Sequence, residues 1–213
     1  MISPWTQRFL DLAHAQQALR FGQFTLKSGR QSPYFFNAGA FNDGAAIDGL
    51  ARCYAEAIAA SDHEFDMLFG PAYKGIPLVS AIAISLFRDH DINLPFAFNR
   101  KEAKAHGEGG QIVGAPLQGR VLIVDDVISA GTSVTESVQL ISQAGAQAGG
   151  VAIALDRQER GQDSRSAVSM VRASGLEVIA IATLSDLITW LDDRRDLAEH
   201  RDSMAEYQSR FGA

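Results

Sequence analysis

The sequence predicts an α/β domain with a mainly parallel central sheet flanked by helices and a small hood at the N-terminus. Three observations support this prediction. Five short apolar runs alternate with segments of helical periodicity, most of these runs are apolar at every position, and two extended segments precede them. Alternating strands and helices are typical of βαβ units, and uninterrupted apolar strands are typical of a sheet covered on both faces. We therefore expect a single domain over residues 1–213, with the hood at approximately residues 1–40.

The elements can be placed in order along the chain. Extended segments at 21–26 and 33–37, joined by a turn at 27–30, predict a hairpin or small hood. Strands are expected at 65–69, 94–98, 121–124, 151–155 and 178–182, where β-branched or aromatic residues are frequent. Helices are expected at 47–60 and 76–87, and in the segment with Val134, Val138 and Ile141, which Gly145 should end. Two further helices, at 185–191 and within 194–211, should expose their mixed charges to solvent.

Composition excludes several classes of function. The formal net charge of −6 disfavours nucleic-acid binding, because such binding depends on many cationic side chains that neutralise phosphates. The single cysteine, Cys53, cannot form an intramolecular disulfide, and the first residues lack a secretory pattern. No run approaches the length of about 18 apolar residues that a membrane span requires. We therefore expect a cytoplasmic protein with no nucleic-acid or membrane partner.

Residues 121–133 combine an apolar strand, two adjacent acids and a run of small residues. Asp125 and Asp126 should lie at the carboxyl end of their strand, which is the edge where open α/β sheets bind ligands. The small residues that follow would let backbone N–H groups and the next helix N-terminus hold a phosphate. Acids beside a phosphate suit a sugar phosphate, whose hydroxyls can donate to them, or the waters of a magnesium ion. The alternative role, helix capping, is disfavoured because both acids come several residues too early.

Residues 99–110 form a second candidate site. They include Arg100, Lys101, Lys104 and His106, followed by three glycines within residues 107–110. This composition predicts a mobile loop that closes over a charged ligand, although an exposed charged loop without function would look the same. If these cations stabilise a diphosphate leaving group, Lys104→Ala should lower turnover by about 10² to 10³, and near-normal turnover would contradict that role.

The pattern of residues 121–133 resembles the phosphoribosyl pyrophosphate motif of the type I phosphoribosyltransferases. Two further segments, residues 24–39 and 69–77, make the chain similar to the orotate phosphoribosyltransferases in particular, and residues 155–161 extend the similarity. The chain contains neither the Gly-Lys dipeptide of a nucleotide P-loop nor a dinucleotide-binding glycine pattern. The resemblance implies the type I phosphoribosyltransferase fold.

The resemblance also implies a set of site residues. The implied catalytic residues are Lys104, Asp125 and Asp126. The implied contacts to phosphoribosyl pyrophosphate are Lys27, Tyr73, Lys74, Arg100, Lys101, Lys104, His106, Asp125, Asp126, Val127, Ile128, Ser129, Ala130, Gly131, Thr132 and Ser133. The implied contacts to orotate are Phe35, Phe36, Ser129 and Arg157, because a guanidinium offers paired donors to a carboxylate. Arg160 is a second arginine candidate. From the residues alone, Lys74 is equally compatible with a surface charge, and Phe35 and Phe36 with the core.

The implied reaction is transfer of the 5-phosphoribosyl group from phosphoribosyl pyrophosphate to orotate, which yields orotidine 5′-monophosphate and pyrophosphate in UMP biosynthesis. The resemblance implies Mg²⁺ held mainly by the substrate's diphosphate and ribose, with no dedicated protein metal site, and a homodimer whose basic loop closes over the partner's site. Two alternatives stay open: a phosphoribosyltransferase for another base, and a sensor that binds phosphoribosyl pyrophosphate without turnover. The set Lys27, Phe35, Phe36 and Arg157 should distinguish orotate from other bases.

Overall fold

The computed structural model describes residues 2–26, 29–104, 110–128, 132–161 and 164–213. Its helices and strands, in chain order, are α1 (Pro4–Ala15), β1 (Leu19–Thr25), β2 (Gln31–Phe36), α2 (Gly44–Ala59), β3 (Met67–Gly70), α3 (Gly75–His90), β4 (Phe96–Lys104), β5 (Gly110–Gly114), β6 (Arg120–Asp125), α4 (Thr132–Gln143), β7 (Gln147–Asp156), α5 (Ala167–Ala173), β8 (Glu177–Thr183), α6 (Leu184–Asp192) and α7 (Ala198–Phe211). Short 3-10 turns occur at Ala38–Ala40 and Arg195–Leu197.

The central sheet has six strands in the described part of the chain, in the order β5-β4-β3-β6-β7-β8. All neighbouring strands run parallel except β5, which pairs antiparallel with β4 at one edge. Alternate residues of each buried strand enter different cores, as the two-residue repeat of a strand requires. Leu122 and Val124 of β6 pack with α1, α2, α3 and α6, whereas Val121 and Ile123 pack with α4 and α5. Helices therefore cover both faces, and the expected fold class is confirmed.

Local sequence explains where several elements end. Helix α4 ends in a Schellman motif: Ala146 N–H donates to the Ile141 carbonyl, and Gly145 N–H donates to that of Ser142. Gly145 has a φ of +82°, a conformation that glycine adopts without steric cost, so its expected role at the helix end is confirmed. At the start of α6, Thr183 and Asp186 form a capping box.

The N-terminal hood is the antiparallel pair β1 and β2, with α1 before it. Phe9 and Leu10 of α1, Leu19 of β1 and Tyr34 of β2 are buried in the same core as the helices on one face of the central sheet. The hood thus packs directly on that core. Among the described residues, no helix has the length and apolar character needed to cross a membrane.

The strand boundaries correct one expectation. Residues 99–104 were expected in a loop, but Asn99, Arg100 and Lys101 belong to β4, which continues to Lys104. Strand β5, which was not expected, pairs with β4 through Ala97–Gly114 and Asn99–Ile112. The extension of β4 is mostly polar, and β5 has only Ile112 and Val113 as apolar residues, so hydrophobic patterning did not indicate either strand segment. Residues 105–109, including His106, lie outside the described residues.

Candidate active site

The candidate site lies at the carboxyl ends of β3 and β6. These strands are parallel neighbours, with Phe69 opposite Ile123, although they are not consecutive in the chain. From β3 the chain proceeds outward to β4 and β5, and from β6 it proceeds in the opposite direction to β7 and β8. This is a topological switch point, where open α/β sheets form a ligand-binding crevice.

The two adjacent acids occupy the end of β6. The side chains of Asp125 and Asp126 are held by local hydrogen bonds, and both residues are only 8% exposed. One Asp125 oxygen accepts from the Asp126 N–H at 2.9 Å, and the other accepts from the Ser133 hydroxyl at 2.8 Å. The buried Tyr54 of α2 donates a hydrogen bond from its hydroxyl to the Asp125 carbonyl at 2.8 Å. Helix α2 therefore also holds the backbone at the end of β6.

Burial and, to a smaller extent, the charge of Asp126 raise the pKa of Asp125 to about 6, although the hydrogen bond from Ser133 opposes the shift. A carboxylate that is costly to desolvate is stabilised by a cation or by hydroxyl donors. In this structure a cation is present at the neighbouring acid: the Lys74 ammonium lies 2.5 Å from the Asp126 carboxylate. Lys74 follows β3 and Asp126 follows β6, so this ion pair connects the two strand ends that form the crevice.

The turn that carries Lys74 is tightly packed. A Cβ atom added to Gly70 would lie 2.2 Å from the Gly75 carbonyl oxygen, so a side chain at this position would force the backbone to move. Gly75 N–H donates to the Pro71 carbonyl at 2.9 Å, and Ala72 N–H donates to the Asn99 side chain at 2.8 Å. Asn99 thereby connects this turn to β4.

Tyr73 and Lys101 extend the site outward. Tyr73 is 67% exposed, and the Lys101 ammonium lies 4.9 Å from the centre of its ring. This cation–π contact brings the basic end of β4 to the turn that carries Lys74. Arg100 is on the same strand, and the side chain of Lys104 lies outside the described residues.

The expected phosphate cradle is described only in part. Val127 and Ile128 are half-buried and pack against the two cores. Helix α4 begins at Thr132 and Ser133, and the Ser133 hydroxyl is already bonded to Asp125. Ser129, Ala130 and Gly131 lie outside the described residues, as does Lys27 of the hood.

Arg157, the expected orotate contact, follows β7, the strand next to β6. Its guanidinium lies 4.5 Å over the ring of Tyr34. Its Nε donates to Glu159 at 2.8 Å, and its Nη2 lies 2.7 Å from the same oxygen. That Nη2 is buried, and it has no hydrogen-bond acceptor within the described chain because its N–H groups do not point at Glu159. Burial alone would lower the pKa of Arg157, but Tyr34 and Glu159 raise it, and the guanidinium stays charged.

The two hood phenylalanines point to opposite faces of β2. Phe36 packs on Phe9 and Phe41, on the face that Tyr34 shares, whereas Phe35 stacks on Phe24 with centroids 5.5 Å apart. The structure therefore brings Phe36, but not Phe35, to the side of the hood where Tyr34 contacts Arg157.

Three supporting residues were not identified from the sequence: Tyr54, Asn99 and Glu159. Tyr54 and Glu159 bond to the candidate site residues Asp125 and Arg157, and Asn99 bonds to the turn that carries Lys74. Glu159 lies within the segment whose similarity was noted, and Asn99 begins the basic segment, so position gave a weak signal for both. Nothing in its local sequence distinguishes Tyr54 from an ordinary core residue of α2. Among the described residues, no group of three or more His, Cys, Asp or Glu side chains is arranged to hold a metal ion.

Comparisons with known proteins agree with this arrangement. The model of the phosphoribosyl transferase domain family matches residues 38–186. Orotate phosphoribosyltransferase from Klebsiella pneumoniae (strain 342) is 53% identical over 99% of this chain and 100% of its own length. The protein of the same name from Salmonella newport (strain SL254) is 54% identical over the same shares. The crystal structure of orotate phosphoribosyltransferase from Francisella tularensis superposes with a TM-score of 0.87 at 41% identity, covering 96% of this chain and 99% of that one. An acid pair at the switch point, a paired lysine across the crevice and full-length similarity together place this chain in the orotate phosphoribosyltransferase family, within the phosphoribosyl transferase domain family.

Proposed function

We propose that this protein transfers the 5-phosphoribosyl group from phosphoribosyl pyrophosphate to orotate, forming orotidine 5′-monophosphate and pyrophosphate for UMP biosynthesis. The observation that carries the proposal is the pairing of Lys74 with Asp126, next to Asp125, at the switch point between β3 and β6. This arrangement offers acceptors for sugar hydroxyls and a cation for phosphate in one crevice. Similarity to orotate phosphoribosyltransferases over the whole chain supports it.

Asp125 and Asp126 provide the hydrogen-bond acceptors for the ribose. Two ribose hydroxyls can donate to Asp125 and Asp126, replacing the contact that Asp126 makes with Lys74 in the free protein. Lys74 is then free to neutralise phosphate oxygens. We assign the 5′-phosphate to the N-terminus of α4, because helix N-termini favour anions, and to the preceding residues that the sequence pattern indicates.

The reaction replaces pyrophosphate with the base at the anomeric carbon, with inversion, through a sugar transition state with cationic character. Negative charge builds on the departing diphosphate. Lys74 lies in the crevice beside Asp126, Arg100 and Lys101 lie on β4, and Lys104 and His106 belong to the same basic segment of the sequence. Cations that are in place before bond breaking stabilise the transition state more than the ground state.

Mg²⁺ is the proposed cofactor. Asp125 and Asp126 are oxygen donors of the kind that Mg²⁺ prefers, but two acids, one of them paired with Lys74, do not form a full metal site. They would hold the ion through its waters or through the ribose hydroxyls. When bound, the ion would neutralise the diphosphate and so favour its departure.

Base recognition is assigned to Arg157, with a phenylalanine of the hood against the ring and Ser129 as a further contact. The charged Arg157 guanidinium has a buried Nη2 without a hydrogen-bond acceptor in the described residues. A carboxylate supplied by the base would remove the cost of about 1–3 kcal/mol that such a group carries. Phe36 lies on the same face as Tyr34, which makes it the better placed of the two rings.

We also infer a homodimer in the cytoplasm, with residues 1–213 acting as one domain. Ile84 and Phe87 of α3 are 61% and 57% exposed, and their spacing of three places them on one side of the helix. Large apolar residues grouped on a surface favour association with another protein surface. In such a dimer, the basic segment at 99–110 of one subunit would close over the site of the other, as the family resemblance implies.

The proposed activity is tested by following the loss of orotate absorbance with phosphoribosyl pyrophosphate and Mg²⁺, with uracil, adenine and hypoxanthine as parallel acceptors. Turnover of orotate alone supports the proposal. Turnover of another base would retain the phosphate site but reject the base assignment. If phosphoribosyl pyrophosphate binds tightly and no base reacts, the protein is a sensor. Omission of Mg²⁺ should abolish turnover.

A further inference from the structure

The chain's last residues lie against the loop that carries Arg157. Helix α7 ends at Phe211, and Glu159 and Gly212 form an antiparallel bridge. Arg160 N–H donates to the Phe211 carbonyl at 2.9 Å, and Ala213 N–H donates to the Gln158 carbonyl at 2.8 Å. We define residues 210–213 as the C-terminal clamp and residues 157–161 as the base loop.

Side chains strengthen this backbone pairing. The Arg160 guanidinium donates to the carbonyls of Gly212 and Arg210, at 2.5 and 3.3 Å. Arg160, a candidate orotate contact from sequence, is therefore directed to the C-terminal clamp. Gly212 is suited to its position because an added Cβ would lie 2.4 Å from the Gln208 carbonyl oxygen. A larger residue there would displace the clamp from the base loop.

The clamp reaches Arg157 through one carboxylate. The Arg30 guanidinium lies 4.7 Å over the Phe211 ring, donates to the Arg160 carbonyl at 3.1 Å, and pairs with Glu159 at 3.0 Å. Glu159 also accepts from Arg157, and its side chain is only 13% exposed. Burial of a charge is tolerated where partners are fixed around it, so the position of Glu159 depends on Arg30 and on the loop backbone.

Aromatic rings form a second connection. Phe211 packs on Tyr207 with centroids 5.0 Å apart, and Tyr207 meets Tyr34 edge to face at 6.1 Å. The ring of Tyr34 in turn supports the Arg157 guanidinium. Two separate chains of contacts, one charged and one aromatic, thus lead from Phe211 to the same arginine.

We propose that the C-terminal clamp, acting through Glu159, is the positioning element of the base pocket: it holds Arg157 where the guanidinium can meet the carboxylate of the base. The proposal rests on the proposed function, since it assigns Arg157 to the base. Arg30, Glu159 and Arg157 together carry one excess positive charge, which suits an anionic base. The clamp makes no contact with the acid pair in the described residues, so its effect should be confined to the base.

The test compares the full chain with a variant that ends at residue 210 and with Glu159→Gln. Steady-state kinetics give KM for orotate and for phosphoribosyl pyrophosphate, and calorimetry gives the affinity of the free protein for phosphoribosyl pyrophosphate. Both variants should lower kcat/KM for orotate by roughly 10- to 100-fold, chiefly through KM, because small displacements of a positioning group have effects of that size. The affinity for phosphoribosyl pyrophosphate should stay within about twofold. Asp202→Asn, an exposed change on α7, is the matched control.

The outcomes are distinguishable. Unchanged orotate KM in both variants overturns the proposal, and so does an equal loss of affinity for both substrates, because that indicates general unfolding. If the shortened chain does not fold, Glu159→Gln alone decides between these results. If the unaltered protein binds phosphoribosyl pyrophosphate but does not use orotate, the proposed function fails instead, and the comparison of orotate KM values does not arise.

Discussion

At the scale of single residues, the two acids of the site are buried and only partly compensated by their neighbours, which favours ligand binding. Asp125 is buried beside Asp126, and Lys74 neutralises only the second of the pair. The hydrogen bonds from Ser133 and from the Asp126 N–H compensate Asp125 in part. The free protein therefore holds a carboxylate that hydroxyl donors would stabilise further.

This predicts a pH-dependent stability. The pKa of Asp125, raised by burial to about 6 in the folded protein, is about 3.9 in an unfolded chain. Between these values the folded protein binds more protons, so the free energy of unfolding should fall as pH rises from about 4 to 6. The loss could reach about 3 kcal/mol. Denaturant titrations at several pH values should show that Asp125→Asn flattens this decline, with Asp202→Asn as control. An unchanged slope would show that Asp125 is not its source.

Lys74 should affect catalysis far more than stability. Lys74→Met removes the cation beside Asp126, and we expect kcat/KM for phosphoribosyl pyrophosphate to fall by about 10² to 10³. The Lys74 side chain is 53% exposed, so the free energy of unfolding should change by less than about 1 kcal/mol. Arg52→Met, which removes an exposed pair with Asp48 on α2, is the control and should leave kcat/KM unaltered. Normal catalysis in Lys74→Met would reject the role.

At the scale of elements, the connection between β3 and α3 determines where Lys74 lies. Gly70→Ala would place a Cβ 2.2 Å from the Gly75 carbonyl oxygen, and the turn must shift. We expect a loss of about 1–3 kcal/mol in unfolding free energy and a loss of about 10² in turnover. Gly44→Ala at the start of α2 is the matched control, because no atom lies within 4 Å of the added Cβ. Thermal unfolding measures the change in stability, and the orotate assay measures the change in turnover. Equal stability and turnover in Gly70→Ala and Gly44→Ala would show that the space at Gly70 is not limiting.

Elements whose apolar residues face the core were predictable from sequence. Strands β6, β7 and β8 and helix α4 with its Gly145 end lie close to their expected positions, because burial selects the residues that reveal them. The extension of β4 and the edge strand β5 were not predictable in this way. Residues 99–104 of β4 are mostly polar, and β5 has only two adjacent apolar residues, Ile112 and Val113, which is too short a run to reveal a strand.

The residues of the site also divide into those that were predictable from sequence and those that were not. Asp125, Asp126 and Lys74 could be proposed from sequence because each lies next to a recognisable strand end, and the fold brings them together. Tyr54 and Glu159 could not, since their importance arises from contacts to residues far away in the chain: the Asp125 carbonyl and the Arg30 side chain. Only three-dimensional packing reveals such partners.

At the scale of the whole molecule, the two exposed apolar side chains of α3, Ile84 and Phe87, predict self-association. Ile84→Glu combined with Phe87→Glu would place two charges on this surface, and we expect light scattering to show the mass of a monomer where the unaltered protein shows a dimer. If the basic loop acts across the interface, orotate turnover should fall with dissociation. Gln139→Glu combined with Gln143→Glu adds the same charges to exposed positions of α4 and should keep the dimer. A dimer that persists in the α3 variant would place the interface elsewhere.

The pairing of Lys74 with Asp126 has a consequence for the end of the catalytic cycle. The Lys74 ammonium already has an anionic partner in the free protein, so binding of the sugar phosphate exchanges one anionic partner of this ammonium for another. When pyrophosphate leaves, the ammonium can pair again with the Asp126 carboxylate. Asp126 thus competes with the departing anion for the same cation, which should weaken product inhibition and keep the enzyme from being trapped by the pyrophosphate it forms.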